Sequence, residues 1–176
     1  MRNQLITGVL AVVATSSLIG LGSTARAATT DHTSTDSTTT HEKGVAISCG
    51  GEWRGKHVYA EVYENSLHGN HVQVVIDDGA YAAERWQDAS IVTHDQVRTR
   101  VRLDGSRAVV KGLARLDGTR KHVHEVLEDA GQTIESTGTQ RGLDTNVAFH
   151  WKDRAVKLDC SESFRYRLTV TRTPVE

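Results

Sequence analysis

The chain has 176 residues, with 21 basic and 22 acidic side chains, nine histidines and a formal net charge of −1. A balance this even is too neutral to imply nucleic acid or anionic lipid as a bulk partner, since both draw on a strong excess of positive charge. Once a leader and a polar tail are set aside, about 130 residues remain, enough for one domain with a real core.

In chain order, residues 1–27 read as an export signal. Arg2 supplies a positive start, "LITGVLAVVATSSLIGLG" an apolar run, and Ala25-Arg26-Ala27 a small-x-small site with cleavage expected before Ala28. The run contains Thr7, Thr15, Ser16 and Ser17, and no basic cluster follows to stop transfer, which argues against a retained membrane span. The expected location is extracellular, with no membrane attachment after cleavage. Loss of Arg2 and Arg26 removes two positive charges and leaves the mature chain mildly acidic.

Residues 28–44, "ATTDHTSTDSTTTHEKG", hold almost no apolar side chain and are expected to be a disordered Thr/Ser-rich tail. The domain is expected to span 45–176. There the apolar residues recur at every second position, in "HVYAEVY" (57–63), "HVQVVI" (71–76), "VRTRVRL" (97–103) and "FRYRLTV" (164–170). The pairs Asp78-Gly79, Asp104-Gly105 and Asp117-Gly118 punctuate them as hairpin turns. "AYAAERWQD" (80–88) continues as a strand after its turn. The echo between "VRLDGSR" (101–107) and "ARLDGTR" (114–120) reads as two consecutive hairpin turns of a meander. The fold class expected is all-β: one antiparallel β-sandwich or β-barrel of about nine to ten short strands. Cys49 and Cys160, near the two ends of the domain, are expected to form a disulfide, the usual fate of a cysteine pair in an exported chain.

Four features carry candidate chemistry. If Asp104-Gly105 closes a two-residue hairpin, Leu103 faces Ser106, Val101 faces Ala108, Thr99 faces Val110 and Val97 faces Gly112, which makes a small apolar inner face. The other face then sets Arg102 against Arg107 and Arg98 against Lys111, with Arg100 between. Like charges directly across a sheet repel, so this face wants a counter-charge. Acids of a neighbouring strand, with Glu125 and Glu128 the candidates, would supply it; otherwise the partner is an anionic glycan or an acidic protein surface.

The second feature is "HVHE" (122–125), which resembles a piece of the copper/zinc superoxide dismutase signature. That family needs several more histidines and an aspartate after the motif, and Leu127–Gly138 offers no histidine, so the family assignment fails. A generic metal site built from His122, His124 and His150 is the surviving alternative, and it is disfavoured because only Glu125 lies near the pair. His68 and His71, in "LHGNH", form a weaker pair. The third is "GEW" (51–53), which resembles the Gly-x-Trp that opens the first strand of lipocalin-like barrels. That resemblance implies a Trp53 on the barrel floor, stacked on Arg165, Arg167 or Arg172; the residues alone imply a core tryptophan near Cys49. Last, Asp77-Asp78 and Glu128-Asp129 sit beside expected turns, where acids mark loops more often than catalytic pairs.

No serine-hydrolase elbow, zinc-protease motif or phosphate-cradling glycine loop is present, so no catalytic residue and no cofactor are assigned. The expected function is non-catalytic binding of a protein, glycan or small ligand, with a metal-binding protein and a hydrolase without recognisable motif as alternatives.

Overall fold

In a computed structural model, which describes residues 36–175, the chain forms nine strands in one antiparallel sheet. They are β1 (Thr38–Trp53), β2 (Lys56–Asn65), β3 (Gly69–Ile76), β4 (Tyr81–Gln87), β5 (Val92–Thr93), β6 (Gln96–Leu103), β7 (Ser106–Asp129), β8 (Gln132–Trp151) and β9 (Arg154–Pro174). Their order across the sheet is β4-β3-β2-β1-β9-β8-β7-β6-β5. The sheet curls into a half-barrel, so the barrel rather than the sandwich is realised. Where β4 meets β6 the contact runs through side chains: the Arg85 guanidinium donates to the Arg100 carbonyl and the Thr99 hydroxyl to Gln87, both at 3.4 Å.

Period-two patterning explains the barrel. Val58, Ala60 and Val62 of β2, Val72, Val74 and Ile76 of β3, and Val147, Phe149 and Trp151 of β8 all turn inward and are buried. Trp53, Trp151 and Tyr81 close one end, with ring centroids 4.6 Å apart for the first pair and 5.3 Å for the second. At the other end the buried Glu64 carboxylate accepts hydrogen bonds from the Ser90 hydroxyl (2.7 Å), the Val92 amide (2.8 Å) and the Ile91 amide. Those bonds hold Ile91 in the mouth of the barrel.

Three strands are far longer than the short ones expected: β7, β8 and β9 have 24, 20 and 21 residues. Beyond the barrel they continue with the start of β1 as a four-stranded arm, ordered β1-β9-β8-β7. The arm shows that Asp117-Gly118 is not a hairpin turn. Leu116 pairs with Leu143 and Arg120 with Arg141, so Asp117, Gly118 and Thr119 all lie opposite Gly142 in a bulge. Asp117 accepts from the Thr119 amide and hydroxyl, both at 2.7 Å, and Gly118 takes a φ of 89°. An Asp-Gly pair suits a bulge as well as a turn, because both need a left-handed residue. Gly142 is required beneath it, since a Cβ there would lie 2.1 Å from the Thr119 hydroxyl.

The boundary expected at Val45 also moves. Residues 38–44 belong to β1, where Thr38–Gly44 pairs with Tyr166–Arg172 of β9. The leader and residues 28–35 lie outside the described residues. Cys49 and Cys160 are joined as expected, between facing residues of β1 and β9 with Cα atoms 3.8 Å apart. Among the described residues no helix is long and apolar enough to cross a membrane.

Candidate functional site: a basic outer face

The β6–β7 hairpin has the register read from its turn. Asp104 and Gly105, with φ of 48° and 68°, make a two-residue turn, and Leu103–Ser106, Val101–Ala108, Thr99–Val110 and Val97–Gly112 pair across it. Val97, Thr99, Val101, Leu103, Ala108 and Val110 are buried. The alternate residues face outward, with Arg102 opposite Arg107, Arg98 opposite Lys111 and Arg100 opposite Val109.

The pairing of β7 with β8 and of β8 with β9 widens this face by two strands. One row reads Arg98–Lys111–Ala148–Lys157 and the next Arg100–Val109–His150–Ala155. Burial and the nearby Lys111 hold His150 below the ordinary histidine value of 6.5, so it is neutral at pH 7. Lys152 reaches Asp104 at 3.5 Å from the adjoining turn. Among the described residues, no carboxylate forms an ion pair with Arg98, Arg100, Arg102, Arg107, Lys111 or Lys157.

The counter-charge expected from Glu125 and Glu128 is not there. Both lie on the arm, opposite Ser136 and Thr133, and the 14 residues from Lys111 to Glu125 span about 45 Å of strand. Lys157 and His150 were not readable as members of this face. Their own strands alternate clearly, but only the β8 and β9 registers, set by long-range pairing, bring them beside Lys111.

The three histidines of the alternative metal site are not brought together. His122 and His124 face Thr139 and Thr137 of β8. His150 lies 11 residues further along that strand, about 36 Å away, and points to the opposite side, between inward Phe149 and Trp151. His124 instead contacts Glu135 at 3.1 Å. The other histidine pair also separates: His68 lies 3.5 Å from Glu42, and His71 stacks on Trp86 with centroids 4.5 Å apart.

Trp53 ends β1 instead of opening it, and the cation over its ring is the adjacent Arg54 at 4.8 Å. None of the late arginines fills that role. Arg165 binds Asp95 at 3.2 Å, Arg172 lies 3.6 Å from Glu42, and Arg167 pairs across the arm with Lys43. The barrel interior is filled by Val58, Val62, Val72, Val74, Phe149 and Trp151. Two depressions, of about 450 and 760 Å³, lie elsewhere: one on the arm beside Arg167, the other where β8 and β9 part between Leu143 and Cys160.

No protein-family model, curated protein or solved structure matches this chain.

Proposed function

We propose that the protein is an exported, non-catalytic binding protein whose ligand is an acidic polysaccharide, held on the outer face of β6–β9. One observation carries this reading: Arg98, Arg100, Arg102, Arg107, Lys111 and Lys157 share a face on which none of them has a carboxylate partner among the described residues. Like charges held directly opposite one another raise the energy of the unliganded face, and a polyanion lowers it. Along β6 the arginines recur every second residue, about 7 Å apart. A repeating anionic chain matches such a row better than a compact acidic patch on a protein does. Of the six cations only Lys157 lines one of the two depressions, so the arginine row runs over open sheet, which suits docking along a chain better than turnover of a buried bond.

The test is retention of the mature protein on an acidic-glycan resin. Wild type is expected to bind at low ionic strength and to elute with salt, because exposed charges are screened. The triple variant Arg98→Gln, Arg100→Gln, Arg102→Gln should elute at clearly lower salt with an unchanged melting curve. Equal elution of the two proteins, or no retention of wild type, would sink the reading.

A further inference from the structure

A second cationic array lies where the arm leaves the barrel, on the continuation of the sheet's inner face. Arg120 of β7 pairs with Arg141 of β8, and Arg141 pairs with Arg165 of β9. Directly opposite residues share a face with Cβ atoms about 5 Å apart, so three arginine side chains leave the sheet side by side across three strands. The next row outward reads His122–Thr139–Arg167–Lys43. Among the described residues, the only carboxylate paired with any of these five cations is Asp95, 3.2 Å from Arg165.

The bulge in β7 creates the arrangement. If the pairing ran on unbroken from Leu116–Leu143, Arg120 would face Thr139 and Arg141 would face Gly118. The three residues opposite Gly142 shift β7 so that Arg120 falls into line with Arg141 instead. Bulges serve to re-aim side chains, and this one sets like charges against each other. At the same place two polar atoms are shut off from solvent with no hydrogen-bond partner, the Arg165 Nε and the hydroxyl of Ser163, two residues earlier on the same face. A row of arginines, one unpartnered donor among them and a single acid together make a surface suited to an anion.

We propose that this array binds a doubly charged oxyanion, sulfate or phosphate, either free or as a group on a larger molecule, with Arg141 at its centre. Guanidinium groups present paired N–H donors that match two oxygens of such an anion at once. Arg120 and Arg165 flank Arg141, while Arg167 and Lys43 add charge from the next row. The depression of about 450 Å³ lined by His41, Lys43, Thr137, Arg167 and Thr169, with the Glu42 carboxylate also in its wall, leaves room for an uncharged or polar remainder of a larger ligand. The site is separate from the outer face of β6–β9 and does not depend on its function.

The experiment is thermal melting of the mature protein at neutral pH in sulfate and in chloride at matched ionic strength. Inorganic sulfate and a sulfated disaccharide are run side by side, and the lower half-saturation names the source. Wild type is expected to show a saturable rise of several degrees in sulfate over chloride, because a ligand that binds the folded state stabilises it. Arg141→Gln should melt no lower than wild type at low salt, since the middle of three like charges is gone, and should lose the sulfate increment. Arg120→Gln, at the exposed edge, should weaken half-saturation about tenfold. The triple variant Arg98→Gln, Arg100→Gln, Arg102→Gln should keep the full increment, which separates this site from the glycan face. Identical curves in the two salts, or an increment that survives Arg141→Gln, would overturn the assignment and leave ordinary solvated arginines.

Discussion

The barrel and the arm are built from the same strands by different forces. In the barrel, β8 buries Val147, Phe149 and Trp151 at alternate positions; a few residues away, on the arm, the same strand has no buried side chain from Gln132 to Gly142. Over Arg120–Asp129 of β7 only Val123 is buried, and Val126 is 59% exposed. The arm is therefore held by its backbone ladder and by a small outward-facing cluster in which Glu42, Val123, Tyr166 and Val170 are buried. Tyr166 stacks on Tyr63 at 6.2 Å and donates to the Glu64 carbonyl at 2.8 Å. Gly44 makes room for that ring, because a Cβ there would meet the Tyr166 hydroxyl at 2.6 Å. Half a strand can thus belong to a core while its other half stands in water, with only the ladder in common.

The largest effect expected from this contrast is in the barrel. Phe149→Ala should lower stability by about 3–5 kcal/mol, whereas Val126→Ala on the arm should stay within about 0.5 kcal/mol. Denaturant midpoints for the two variants test this, and comparable losses would mean that the arm packs against something.

Next in size is removal of residues 28–43. Thr38–Lys43 pairs with β9, and Glu42 is buried there, accepting from Asn65 at 2.7 Å and Thr40 at 3.2 Å. The shortened chain should melt several degrees lower. An unchanged melting temperature would show that β9 holds its half of the arm without β1.

A smaller effect follows from Glu42 itself. Burial alone would raise its carboxyl, but Asn65, His68, Thr40 and Arg172 together outweigh burial and hold it below the ordinary 4.5. The folded state then binds this proton more weakly than the unfolded state does. Its stabilisation is complete above pH 4.5 and drains away as pH falls through the lowered value. The gap in melting temperature between wild type and Glu42→Gln should accordingly be open at pH 7 and close as the pH falls below 4.5 and through the lowered value. A gap independent of pH would assign the effect to shape and not to charge.

The finest distinction concerns single amides. Ala130 and Gly131, with φ of 49° and 75°, form a two-residue turn closed by Asp129 and Gln132. Odd-numbered residues of β7 from Lys121 to Asp129 therefore aim their N–H groups at β8, and even-numbered ones aim theirs at the open edge. Amide exchange should alternate along this segment, fast at His122, His124 and Val126 and slower at Val123, Glu125 and Leu127. Uniform protection would reveal a partner on that edge.

What could be read in advance follows the same division. The β6–β7 register was legible because Asp104-Gly105 is a short turn flanked by strict alternation, and burial of one face leaves one register open to it. The Cys49–Cys160 bond was legible from cysteine number and position. The start of β1 was not: "TTTHEK" has no apolar periodicity, and its strand depends on β9, more than a hundred residues away. The arginine row was hidden for a related reason. Arg120, Arg141 and Arg165 are far apart in sequence, and their alignment needs the count of residues in a bulge that reads locally as a turn.

The Cys49–Cys160 bond has a mechanical consequence. The described ends of the chain lie side by side, with Thr38 beside Arg172, and the pairs run inward from there through Ser48–Glu162 to the disulfide. Tension that draws the two ends apart loads these pairs one after another, like the teeth of a zip, so the strands part at low force. At Cys49–Cys160 the parting meets a covalent stop, and the 111-residue span behind it bears no load. Pulled by its ends, the molecule should lengthen by a set amount, releasing Val45 and Ile47 from the core last, then go taut with the strands behind the disulfide still paired.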